Sequence, residues 1–142
     1  MIAGMNQYLK NKEKSKMDRE IKFRARDEEA NCFISQIQLE NIFWDIVNKK
    51  YGNRFILMQY TGQHDKNGKE IWEGDIVNIK STYETDTLVD CNATVLFRDG
   101  RFTTDYHDLQ VCGFTKSGNW EGEIIGNRWD NPEMLKEKND HI

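Results

Sequence analysis

The run Leu57-Met58-Gln59-Tyr60-Thr61-Gly62-Gln63-His64-Asp65-Lys66-Asn67-Gly68-Lys69-Glu70-Ile71-Trp72-Glu73-Gly74-Asp75-Ile76-Val77 decides how this chain folds. Phe55 to Thr61 reads as an apolar strand. Asp65-Lys66-Asn67-Gly68 then reads as a turn, because Asn-Gly adopts positive φ at low cost and closes hairpins. Glu70-Ile71-Trp72 returns, and Ile76-Val77-Asn78-Ile79 begins the next strand. Gly74, between two short β segments, predicts a bend or bulge.

Outward from this run the pattern stays β. Thr87 to Phe97 reads as a long strand, Arg98-Asp99-Gly100 as its turn, and Arg101 to Thr104 as the partner that pairs back. Leu109 to Phe114 is expected as a further strand, Lys116-Ser117-Gly118-Asn119 as a turn and Glu121 to Ile125 as the last strand. Asn131-Pro132-Glu133 signals a helix start: Asn131 as N-cap, Pro132 at the first helical position and an acid against the dipole. The short helix expected there covers Met134 to Lys138. On the N-terminal side, Arg19 to Ala25 alternates polar and apolar, which predicts a half-buried strand with Ile21, Phe23 and Ala25 on one face. Residues 32–50 fit two readings. Leu39, Ile42, Phe43, Ile46 and Val47 follow helical spacing, yet Cys32-Phe33-Ile34 and Ile42-Phe43-Trp44 suit strands. The reading adopted is a strand near 32–38 and a short helix near 39–49. Short strands with turns every eight to twelve residues imply a mainly β, antiparallel meander, and the glycine bends favour a small or partly open barrel over a flat sheet.

The chain has 142 residues, about one domain's worth. Its longest apolar run after the N-terminus, Phe55 to Met58, is far short of the roughly twenty residues of a membrane-spanning helix, so no membrane association is expected. The net charge of −4 conceals an asymmetry. Residues 1–16 carry +3 through Lys10, Lys12, Lys14 and Lys16, and residues 17–142 carry −7. This divides the chain into a basic extension, 1–16, with a short helix near 5–15 or a frayed arm, and a β domain, 17–142. An acidic body excludes a uniformly basic nucleic-acid binder. Cys32, Cys91 and Cys112 form no CxxC spacing and are odd in number, so neither a disulfide framework nor a zinc ribbon is expected. The N-terminus lacks the apolar core of a signal peptide, so a cytoplasmic protein is expected.

Three ordered blocks, spanning about residues 17–136, resemble the YopX family. The first is Arg19 to Asp27. The second holds Leu57 to Gly62, Asp65 to Ile71 and Glu73 to Val77. The third runs from Ile125-Gly126-Asn127 through Trp129 to Asn131-Pro132-Glu133-Met134-Leu135. Arg26 replaces a usual tryptophan, Trp72 a common tyrosine, and Gln63-His64 a usual leucine and lysine. The resemblance implies a mainly β fold with a half-open barrel, self-association, and an origin in phages or prophages of Gram-positive bacteria, in the bacterial cytoplasm. It implies no activity and no catalytic residue.

Glu73 and Asp75 flank Gly74 and are the residue types of an acid–base pair or a hard-metal site. The plainer reading is a tight connection in which Asp75 accepts from backbone N–H groups. His64-Asp65 and Asp105-Tyr106-His107-Asp108 are His–acid clusters of a hydrolytic kind, but both fall where strands end, where polar turn residues are ordinary. No GxSxG, GxGxxG or Walker pattern occurs, and no cofactor or metal is expected. Sixteen aromatics, with Arg54, Arg98, Arg101 or Arg128, are able to stack bases, but most must fill the core. The expectation is a non-enzymatic phage accessory protein acting by protein–protein contact, with self-association and a host protein as its partners. Trp72, Glu73, Asp75 and Trp129 are expected as structural anchors, together with Gln59, Tyr60, Thr61, Gly62, Asp65, Asn67, Gly68, Gly74, Gly126, Asn127, Asn131 and Pro132. The contact surface is expected from Lys10, Lys12, Lys14, Lys16, Trp44, Arg54 and the 39–53 segment. A single-stranded nucleic-acid-binding barrel is the alternative, and a metal-dependent hydrolase the third reading.

Overall fold

The computed structural model describes residues 19–81, 90–111 and 120–135. The basic extension with its four lysines, the helix expected near 5–15 and Cys112 lie outside the described residues. Among the described residues, two four-stranded antiparallel sheets make up the fold. The first has the order β2-β1-β3-β4, from β1 (Phe23–Asp27), β2 (Cys32–Phe33), β3 (Phe55–His64) and β4 (Glu70–Trp72). The second has the order β7-β6-β5-β8, from β5 (Asp75–Ser81), β6 (Asp90–Arg98), β7 (Arg101–Thr104) and β8 (Trp120–Asn127). One of the two sheets curls into a half-barrel. The chain crosses between sheets at Glu73-Gly74.

The turns follow the local chemistry. β6 and β7 join through Asp99-Gly100, both at positive φ (55° and 77°), and Arg98 faces Arg101 across the two-residue loop. Such a loop matches the twist of the flanking strands. β3 is longer than its partners, and its register against β4 shifts between Tyr60 and His64, a bulge centred on Gly62.

The helix α1 (Gln36–Val47) covers the first sheet. It starts one turn before the sequence reading placed it, and the strand expected over 32–38 ends at Phe33. The cause is Ser35, an N-cap whose side chain accepts from Gln38 N at 3.2 Å. The helix has no acid in its first turn and no base in its last. Burial therefore holds it: Leu39 and Ile46, with Ile42 and Phe43, pack on Ala25, Phe55, Phe23 and Leu57. Each buried aliphatic side chain contributes about 1.5–3 kcal/mol. A second cluster joins Ile71 of β4 to Val77, Ile79, Ala93, Val95 and Val111.

Other expectations are corrected at their edges. The first strand covers 23–27 rather than 19–25, leaving Ile21 56% exposed. Residues 109–111 form no strand, only an isolated bridge between Thr103 and Gln110. A helix does start at Glu133 and is described to Leu135. The Asn131 side chain does not cap it. Its Oδ1 accepts instead from Asn127 N at 3.2 Å, and its carbonyl takes Met134 N.

Candidate functional site

Alternation along β1 sends Phe23 and Ala25 to the helix, and Arg24 and Arg26 to the other face. That face does not meet solvent. It meets the connection between the sheets and the segment after β8, so Arg26 is only 6% exposed. Arg24 donates to the Glu73 carbonyl at 3.0 Å and to Asp75 Oδ1 at 2.9 Å. Arg26 donates to Asp130 Oδ1 at 3.0 Å. Phe33 lies under both guanidinium groups, at 4.8 and 5.3 Å, and Trp72 lies 5.4 Å from that of Arg24. The result is a cation–aromatic seam that joins the two sheets.

The seam's carboxylates are structural in their contacts. Glu73 Oε1 accepts from Gln59 N at 2.8 Å, and Asp75 Oδ2 from Trp72 N at 2.8 Å. Burial pushes both carboxyls above their ordinary range, although Arg24 pulls in the other direction. The two acids point to different partners on either side of Gly74, whose φ is +86°. Trp129 packs on that glycine, edge-on to Phe33 at 5.9 Å. Gly126 is covered in the same way by Asn131. Asn127 Oδ1 accepts from Trp129 N and Asp130 N, which folds the segment back, while Pro132 stays exposed.

Asp65 forms a second clasp. It is 2% exposed. Oδ1 accepts from Asn67 N and Lys69 N, both at 2.9 Å, and Oδ2 from Ile124 N at 3.0 Å. Burial raises its pKa, but the three backbone donors outweigh that and hold it below the usual range. The Asn67-Gly68 turn is thereby tied to β8, helped by Lys66 N to Gly122 O at 2.9 Å and the Asn67 amide to Glu123. Tyr60 is buried against Trp72, and Thr61 Oγ1 donates to the Ile71 carbonyl at 2.7 Å.

The His–acid pairs are likewise engaged. Tyr60 Oη lies 3.4 Å from His64 Nε2, Asp105 accepts from Thr94 N, and Asp108 pairs with Arg98. Among the described residues, no group of three or more His, Cys, Asp or Glu is placed to hold a metal ion.

The expected contact residues divide. Arg54 is committed to Asp27 through Nε at 3.1 Å and Nη2 at 3.0 Å, and holds that carboxyl down to about 2. Trp44 stands 71% exposed on the outer face of α1. Ile37, which the sequence reading assigned to a strand, is 73% exposed one heptad earlier on the same stripe, and Val47 is 44% exposed. Arg24, Arg26, Phe33 and Asp130 had no local signal, since their contacts join segments some fifty and a hundred residues apart.

The family model described as YopX protein matches residues 4–136. The chain belongs to the YopX family. The match takes in residues 4–16, which the sequence reading set apart as an extension. The function of the YopX family is unknown. The chain is also similar in structure to the crystal structure of protein EF1440 from Enterococcus faecalis, at 24% identity and a TM-score of 0.54. That similarity covers 83% of this chain and 99% of the other, and shows a shared fold. No curated protein matches. Among the described residues, no helix of this YopX protein is long and apolar enough to cross a membrane.

Proposed function

We propose that this YopX protein is a non-enzymatic accessory protein that acts by protein–protein contact through the outer face of α1. One observation carries the reading: Ile37, Trp44 and Val47 stand 73%, 71% and 44% exposed on a helix whose other face is packed. Ile21, 56% exposed, and Phe43 adjoin Trp44 along a shared groove. Large apolar side chains gathered on one face mark contact sites, whereas scattered ones do not. The engagement of Glu73, Asp75 and Asp65 with backbone donors supports a structural rather than catalytic use of the carboxylates.

The finer proposal follows from the phage and prophage context that the resemblance implies. The partner is a second copy of the chain or a host machine in the bacterial cytoplasm, such as an antiviral nuclease. Affinity capture from host lysate, with the mass of the complex measured, tests it. The wild type recovers a stoichiometric partner or itself, and Trp44→Glu with Ile37→Glu loses it while melting at an unchanged temperature. Equal recovery by the variant overturns the assignment to α1.

A further inference from the structure

A groove between the far end of β3 and the β6–β7 hairpin is not used by any contact above. Gln59 and Gln63 border it from β3, Phe97, Arg101 and Phe102 from the hairpin, and Arg19 from the segment leading into β1. It encloses about 480 Å³. Phe97 is 55% exposed, and its ring is held edge-on to Phe102 at 5.1 Å. The neighbouring Arg98 is neutralised by Asp108 at 3.0 Å. The side chains of Arg19 and Arg101 have no ion pair or hydrogen bond among the described residues, and neither do the side-chain amides of Gln59 and Gln63.

We propose that this groove binds single-stranded nucleic acid, one base stacking on Phe97 while Arg19 and Arg101 take the flanking phosphates. Each feature has a counterpart in that ligand. A flat, exposed ring stacks any base. Unpaired guanidinium groups take phosphate in a bidentate manner. A primary amide offers a donor and an acceptor side by side, as a base edge does. An acidic peptide satisfies the arginines but gains little from the ring. The net charge of −4 gives no long-range attraction, so the contact is short-range and spans one or two nucleotides.

Fluorescence anisotropy with labelled oligo-dT and oligo-rU, on the full chain, tests the site. Two phosphate contacts on a single strand predict a slope of log K against log salt of about −1.4. Arg101→Ala is expected to bring it to about −0.7. Phe97→Ala is expected to weaken binding by about five- to 150-fold with the slope unchanged. Both side chains are exposed, so thermal melting confirms that the variants fold. Trp44→Ala leaves binding unchanged, which separates this groove from the α1 surface. No anisotropy change at low salt overturns the proposal, as does binding indifferent to both groove variants. Tighter binding of oligoglutamate, sensitive to Arg101→Ala and indifferent to Phe97→Ala, also overturns it.

Discussion

Trp129 lays its six-membered ring over Gly74, where an added Cβ would come within 2.4 Å of Cζ3 and 2.6 Å of Cη2. The contact presses the segment after β8 onto the crossing between the two sheets. Gly74→Ala meets that ring and also places a side chain at positive φ, so it is expected to cost at least about 2 kcal/mol. Trp129→Ala is expected to cost about 2–3 kcal/mol, less than a fully buried tryptophan because the ring is part-exposed. The double variant should cost less than the two together by about 1 kcal/mol or more, since the clash is gone. Urea unfolding of the four proteins measures this coupling, and strict additivity would contradict the contact.

Arg24 is one of the seam's two cations. Arg24→Met removes the partner of Asp75, whose side chain is 7% exposed. A buried charge left alone is costly, and a loss of about 2–4 kcal/mol is expected, below the fully buried range because Arg24 is itself part-exposed. Adding Asp75→Asn should recover part of the loss. Denaturant midpoints of the single and double variants decide it, and no recovery would show that packing rather than charge is at stake.

The carboxyls predict a two-sided dependence on pH. Asp27, held near 2 by Arg54, contributes stability above its ordinary pKa of about 3.9 and loses it as pH falls toward 2. Glu73 and Asp75 are raised by burial, so the native state takes up their protons before the unfolded chain does. Their protonation therefore stabilises the fold as pH falls from neutral. The melting temperature should rise slightly into mild acid and drop below about pH 4. Asp27→Asn should flatten the drop, and Glu73→Gln should reduce the rise.

Asp65 ties a turn to a strand. Asp65→Ala leaves three backbone N–H groups without their acceptor and is expected to cost about 2–3 kcal/mol. Hydrogen exchange should speed up at the Asn67, Lys69 and Ile124 amides first. Unchanged exchange at Ile124 would contradict the clasp.

What the sequence shows and what it hides follow from the range of each interaction. The Asn67-Gly68 turn, the Glu73-Gly74-Asp75 connection and the Asp99-Gly100 loop are legible because their chemistry lies within four residues. The start of α1 was misplaced because Cys32-Phe33-Ile34 suits a strand, while the deciding cap is a single Ser35. Arg24 and Arg26 looked like a solvent face because alternation alone cannot show that a second sheet covers it. Only contacts to Asp75 and Asp130 reveal that. The exposure of Trp44 agrees with its reading as a surface residue, whereas that of Ile37 was hidden, because the strand reading obscured its place one heptad away on the helix.

The central claim is that the outer face of α1 meets another protein. Photo-crosslinking tests it most directly, with a benzophenone amino acid placed at Trp44 and, as a control, at Lys80, an exposed position on β5. In bacterial cells that produce the protein, position 44 is predicted to give a discrete adduct, with the protein itself or with one partner, and position 80 none. No adduct from position 44, or the same adducts from both positions, would contradict it.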